Sequence, residues 1–455
     1  MGNLEKLEKL SWRSKISFGI GAFGKDLVYA LVGNLFMFYL TDVRFVAPVF
    51  VGTLFMVARI WDAFNDPFMG MIVDNTRSKW GKFRPWIMIG TVLNAIVLAL
   101  MFWNVDFEGN VFLAFCSVLY ILWGMTYTID DIPYWSMVPA LTDDENERSQ
   151  VSAIPRLFAS FAWLIVGSFG LKIIDTTGGG DRRVGFAYFA MIVSIIFIVC
   201  SAITVINCKE KIVTKSSEKT TVKGMIHVLV ANDQVKVILG IAMFFNFAYQ
   251  LSNAFSLYYF SYAIGIEALY PVYTGVAGIA QMAAQLTFPM ITKFVGREKA
   301  FFAACFLPVA GFLLLFVVGI VAPSSIVAVG ASSVVVNYGI GFMLVFITVM
   351  LADVVDYGEY SLGSRNESIL FSMQTFIVKF AGAFSGFVSG IGLTLIGWKA
   401  GETAGSGTIM GMKVIMIVIP AVLSALCYVF YKKGYKLTGE FYEKMIHELR
   451  TRKEQ

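Results

Sequence analysis

GTLFMVARIWDAFNDPFMGMIVDNTRSKWGKFRPW, residues 52–86, joins an apolar run to a basic loop. The run occupies about residues 46–73, enough for a helix to cross a ~30 Å hydrocarbon layer, which takes about 20 residues. The loop carries Arg77, Lys79, Lys82 and Arg84, and such clusters mark the cytoplasmic end of a membrane span. Inside the run stand Arg59, Asp62 and Asp66. A charge at the bilayer centre costs at least ~2.5–3.5 kcal/mol, so each charge retained there is a functional candidate.

Composition extends this reading to the whole chain. Of 455 residues, 57% are hydrophobic and 15% charged, against about 45–50% and 25% in soluble domains. Twelve apolar runs of spanning length follow one another, at 16–41, 46–73, 86–104, 111–139, 151–175, 184–207, 235–262, 268–292, 300–321, 325–354, 367–397 and 409–431. The expected fold is an all-α membrane protein of twelve transmembrane helices. The longest polar connection, 208–234, contains Lys209, Glu210, Lys211, Lys215, Glu218, Lys219 and Lys223. It predicts an N-terminal six-helix bundle (1–207), a cytoplasmic linker (208–234), a C-terminal six-helix bundle (235–431) and a cytoplasmic tail (432–455).

Lys and Arg concentrate in the N-terminus, the tail and every second loop, whereas the remaining loops hold only Arg44, Arg182, Arg183, Lys399 and Lys413. Both termini are therefore expected in the cytoplasm. The net charge of +5 is a loop bias and not a nucleic-acid surface. The N-terminus shows no cleavable signal pattern. Cys116, Cys200, Cys208, Cys305 and Cys427 form no C-x-x-C pair and read as buried small hydrophobes. With His227 and His447 the sole histidines, a zinc site is not expected.

Helical spacing sorts the intramembrane charges. Asp62 and Asp66 are four apart, on one face of span 2, with Asn65 beside them. Two carboxylates and an amide oxygen suit a hard cation, and the like charges disfavour each other when nothing lies between them. On span 4, Tyr127, Asp131 and Trp135 share a face, and Thr128 offers a hydroxyl three residues before Asp131. A carboxylate beside aromatic rings suits a sugar, accepting from hydroxyls while a ring covers the C–H face. Arg156 either donates to sugar hydroxyls or holds Asp131. Lys25 and Asp26 lie in span 1, Asp130 in span 4 and Lys379 in span 11. Asp353 and Asp356 end span 10, where pairing with Arg365 or with basic groups between the halves is expected.

The segments GAFGKD (21–26), GTLFMVARIWDAFNDPFMG (52–70), RSKWGKFRPW (77–86), YILWGMTYTIDDIPYW (120–135), PRLFAS (155–160), GGGDR (178–182) and ADVVDYGEY (352–360) resemble the glycoside–pentoside–hexuronide:cation symporters. The resemblance runs from span 1 to span 12. It implies the major facilitator superfamily fold, a substrate site between two repeats of six spans, and uptake of a galactoside such as melibiose with Na⁺, Li⁺ or H⁺ across the inner membrane. It places the cation, Na⁺ included, at Asp62, Asn65, Asp66 and Thr128. It places the sugar at Lys25, Asp26, Tyr127, Asp131, Trp135, Arg156 and Lys379. No cofactor beyond the coupling cation is implied, and the monomer is the expected working unit. Three positions depart from the family pattern: Gly33 replaces a Tyr, Leu344 a Trp and Asp130 a Met. They bear on the choice of sugar more than on coupling, leaving β-galactosides, pentosides and hexuronides open.

Other classes fit less well. A proton-driven exporter predicts a pocket without the Lys25, Asp26, Asp131 and Arg156 polar set. A membrane enzyme predicts a catalytic motif, yet no G-x-S-x-G elbow and no nucleotide-binding glycine loop occur. A non-transporting sensor predicts a sizeable extra cytoplasmic domain, and the longest polar segment here is the linker.

Overall fold

A computed structural model describes residues 10–142, 145–210, 232–362, 367–400, 402 and 404–454. All regular structure among them is helical. The first unit, Met1–Ser217, contains α1 (Trp12–Phe38), α2 (Pro48–Asn75), α3 (Arg84–Met101), α4 (Gly109–Ser136), α5 (Glu145–Gly178) and α6 (Arg182–Asn207). The second, Glu218–Gln455, contains α7 (Asp233–Tyr258), α8 (Leu269–Val295), α9 (Arg297–Val321), α10 (Ile326–Leu362), α11 (Glu367–Leu395), α12 (Ser406–Gly434) and a C-terminal α13 (Gly439–Glu454). Most of the linker, 211–231, lies outside the described residues, as does His227.

Among the described residues, ten helical stretches are long and apolar enough to cross a membrane. The helices α2 and α8 match them in length, at 28 and 27 residues. They are more polar, α2 through Arg59, Asp62 and Asp66, and α8 through Gln281 and Gln285. The twelve runs legible in the sequence are thus twelve helices.

Helix ends follow local chemistry. Ser11 caps α1 by accepting from the Ser14 amide at 3.2 Å, and Asn232 caps α7 by accepting from Gln234 at 3.0 Å. Each supplies an acceptor to amides that lack an intrahelical partner. The carboxylate of Glu210 accepts from the backbone amides of Lys82 and Phe83, both at 2.8 Å, at the start of α3. A negative charge is favourable there because the helix dipole is positive at that end. Gly296 alone separates α8 from α9, and its φ of 87° is a conformation that a β-carbon opposes.

The packing pairs repeat. In the first unit α1 packs on α5 and α6, α3 on α4 and α6, and α2 on α4. In the second, α7 packs on α11 and α12, α9 on α10 and α12, and α8 on α10. The repeat reaches detail: α1 ends in a π-helical turn at Tyr39–Val43 and α7 in one at Tyr259–Ala263. In both, the amide two residues beyond the Tyr-plus-five position bonds back in the same way, Val46 to Leu40 O at 2.8 Å and Ile266 to Phe260 O at 2.9 Å.

Close contacts rest on glycines. A β-carbon at Gly90 on α3 would lie 2.5 Å from the Asp130 amide nitrogen on α4, and one at Gly311 on α9 would lie 2.5 Å from the Val336 nitrogen on α10. Backbone cannot yield as a side-chain tip can. All five cysteines are buried and free. Asp353 departs from the sequence expectation. Its partner is Arg297 at the start of α9, and Tyr435 donates to it at 3.0 Å, so it pairs within its own unit; Arg365 lies outside the described residues.

Gly90→Ala is expected to lower the thermal unfolding midpoint in detergent by several degrees, at a cost of about 1–3 kcal/mol. Gly70→Ala, where nothing lies within 4 Å of the new β-carbon, serves as the control that leaves the midpoint unmoved.

Candidate functional site

Three helices of the first unit meet along one face of α4. At its centre Lys25 Nζ of α1 lies 2.6 Å from Asp131 Oδ1. The lysine is 1% exposed, and its ammonium lies 4.4 Å from the Tyr134 ring centroid, 4.7 Å from that of Trp135 and 6.0 Å from that of Tyr127. Ring faces carry partial negative charge and stabilise a desolvated cation. Tyr127 and Trp135, expected on a sugar face by spacing, therefore stand with Tyr134 around the ammonium.

One turn along α4, Thr128 Oγ1 donates to Asp66 Oδ1 of α2 at 3.0 Å. Thr128 and Asp131 are three apart and so neighbours on one helical face. A single turn of α4 thus binds an acid of α2 on one side and a lysine of α1 on the other. Asp62, one turn from Asp66, accepts from Arg59 Nη1 at 3.0 Å, and Arg59 Nη2 donates to the Tyr29 hydroxyl at 3.2 Å. Gly124 makes the room: a β-carbon there would stand 2.9 Å from Asp62 Oδ1. Asn65 is half-buried on the same stretch of α2.

On α1, Asp26 accepts from Trp163 Nε1 of α5 at 3.2 Å. Tyr29 sits among rings, 5.2 Å from Tyr127, 5.9 Å from Trp123 and 6.1 Å from Trp163. Tyr120, Trp123 and Tyr127 continue the ladder along α4, each 5.7 Å from the next.

Arg156 is exposed on α5, and Asp131 is held by Lys25 in its place. The reason is depth: Lys25 is desolvated and needs the carboxylate, whereas Arg156 keeps solvent access. Lys379 is half-buried on α11 and belongs to the second unit, as does Leu344 of α10. Asp130 turns to α3, accepting from Thr91 Oγ1 at 3.1 Å. It is 1% exposed and, next to Asp131 in sequence, is turned to a different neighbour. Sequence alone does not single out Tyr29, Gly124 or Trp163. Tyr29 is three residues beyond Asp26 and Gly124 four before Thr128, spacings that place each beside a candidate already chosen.

The family of MFS/sugar transport proteins matches residues 17–439. The chain belongs to it. Among its relatives, the lactose permease of Lactobacillus delbrueckii subsp. bulgaricus is 30% identical over 96% of this chain and 72% of its own length. The isoprimeverose transporter of Lactiplantibacillus pentosus is 29% identical, covering 92% and 88%. The raffinose carrier protein of Pediococcus pentosaceus is 27% identical, covering 96% and 71%. Among solved structures, the nucleoside transporter NupG superposes with a TM-score of 0.65 at 16% identity, over 93% of this chain and 100% of that one. A bacterial homologue of the lysosomal transporter Spinster, inward-facing and unoccupied, gives 0.66 at 12%, over 92% and 95%. These two establish the major facilitator fold. This member of the sugar transport family is a multi-pass membrane transporter of the sugar symporter kind, and its homologues are permeases, not enzymes.

Lys25→Met is expected to strand the Asp131 carboxylate and to destabilise the first unit by about 3 kcal/mol. Lys25→Met with Asp131→Asn is expected to recover most of that stability while remaining without sugar uptake. Thermal unfolding and vesicle uptake on the same preparations separate the two effects.

Proposed function

We propose that the protein imports a galactoside such as melibiose together with Na⁺, Li⁺ or H⁺, as the melibiose permeases of the glycoside–pentoside–hexuronide:cation symporters do. The observation that supports it best is the turn of α4 from Thr128 to Asp131, bonded to Asp66 at 3.0 Å and to Lys25 at 2.6 Å. It joins the cation candidates Asp66 and Thr128 to the sugar candidates Lys25 and Asp131 through one helical turn; Asp62 and Asn65 complete the proposed cation set, and Asp26, Tyr127, Trp135, Arg156 and Lys379 the proposed sugar set.

Charge gives the coupling its direction. Asp62 and Asp66, one turn apart on α2, put like charge in excess on one face of that helix, where the two carboxylates disfavour each other. A monovalent cation entering beside Asp66 reduces that excess and fixes Thr128. Fixing Thr128 fixes the turn that carries Asp131, and the sugar meets a preorganised acceptor. By linkage, sugar then raises cation affinity by the same factor. The ion and sugar cross together in an alternating-access cycle, with both termini in the cytoplasm, the protein in the inner membrane and the monomer sufficient.

A second reading keeps the coupling and changes the sugar. Relatives named for lactose and isoprimeverose, together with Gly33 and Leu344 where the family pattern has aromatic residues, support a β-galactoside or a xyloside as the cargo.

Labelled melibiose uptake into right-side-out vesicles, with Na⁺, Li⁺ or a proton gradient supplied in turn and unlabelled lactose and xylosides as competitors, tests both. Cation-stimulated uptake is expected, with Asp66→Cys and Thr128→Ala each abolishing the stimulation. Stronger competition by lactose or a xyloside assigns the cargo to the second reading. Stimulation that survives in Asp66→Cys would refute the cation site.

A further inference from the structure

The face of α1 that carries Asp26 also carries Tyr29 and Gly33, at spacings of three and seven. One side chain of α5 touches all three. Trp163 donates from Nε1 to Asp26 at 3.2 Å, its ring centroid lies 6.1 Å from that of Tyr29 at a 52° tilt, and its Cη2 lies 3.4 Å from where a Gly33 β-carbon would stand. The indole therefore spans two turns of α1, its N–H end at the acid and its benzo end over the glycine.

We propose that Trp163 is the sugar-stacking surface of this site and a determinant of which glycoside it accepts, filling with an α5 side chain the space that Gly33 leaves open on α1. The proposal rests on the glycoside reading above. A methyl at position 33 would meet the indole at ordinary contact distance, so a ring there turned toward α5 would compete with the indole for the same space. The N–H bond to Asp26 pins the ring in its plane. Asp26 spends one acceptor position on that bond and keeps others for hydroxyls. The indole stays partly exposed, and Tyr29 is its only ring neighbour among the described residues. A carboxylate with spare lone pairs beside a pinned aromatic face matches a pyranoside, which offers hydroxyls at its rim and a C–H patch on one face. Trp163 also lies seven residues beyond Arg156 on α5, so the two share a stripe of that helix.

The test measures inhibition constants of methyl α-galactoside and methyl β-galactoside against labelled sugar uptake in vesicles, with thermal unfolding of each purified variant. Trp163→Phe keeps a ring and is expected to bind within about threefold of the parent. Trp163→Leu is expected to weaken both galactosides about tenfold with an unfolding midpoint near the parent's. Gly33→Tyr with Trp163→Gly returns the ring from α1. It is expected to bind more tightly than Trp163→Gly alone and to change the ratio of the α to the β constant, which a merely structural role for the indole would leave unmoved. Parent-like binding by Trp163→Leu would overturn the proposal, as would an unchanged ratio in a folded double variant. A parent protein that binds no glycoside with any cation would remove the glycoside reading itself, a result separable from the variants because it appears before any is made.

Discussion

An ammonium that has lost its water must be given something equivalent, and in the first unit Asp131 and three aromatic rings give it to Lys25. The attraction of unit charges grows as the local dielectric falls, so the 2.6 Å pair is strong where it sits and severe to break from one side only. That constraint fixes α1 against α4. It also settles where Asp131 points, and with it the register of Thr128, one turn away, against Asp66 of α2. The placement of the cation candidates is thus a downstream consequence of keeping a lysine in the membrane.

The two units share a packing plan but not a chemistry. Ion pairs occupy the core of the first. In the second, α8 and α10 share a neutral network: Gln281 donates to Asn337 at 2.9 Å, Asn337 donates to the Ser333 carbonyl at 3.0 Å, and Ser333 donates to the Tyr273 carbonyl at 2.6 Å. A neutral network of this kind satisfies its own polar atoms, whereas an ionic one retains fields that respond to an arriving ion. The second unit also holds ion pairs, Arg297 at the start of α9 with Asp353 of α10 and Asp233 at the start of α7 with Lys436.

Much of this was legible in the residues. Ten of the twelve runs became membrane-length apolar helices because length and hydropathy decide whether a segment can cross a bilayer, and α2 and α8 match them in length while carrying more polar side chains. Asp62, Asp66, Thr128 and Asp131 were legible because charge in an apolar run is costly and helical spacing places its neighbours. Pairing between helices was not. Nothing in the spacing of Lys25 ties it to Asp131 rather than Asp26, and nothing in Asp130 announces that it turns to Thr91. Those choices belong to inter-helical contact, which glycines such as Gly90 and Gly124 set by what they lack. Trp163 escaped notice for a further reason: an aromatic residue in an apolar run looks like ordinary packing until the carboxylate it meets is seen.

The paired π-turns at Tyr39–Val43 and Tyr259–Ala263 give α1 and α7 the same way of ending. A π-turn closes its hydrogen bond one residue later than an α-helical turn, and each residue of a helix turns the chain by about 100°. In both helices a tyrosine carbonyl takes that bond, Tyr39 from the Arg44 amide at 3.0 Å and Tyr259 from the Ile264 amide at 2.9 Å. The chain therefore leaves both helices in the same direction relative to their own axes, and the next helix of each unit starts from the same exit.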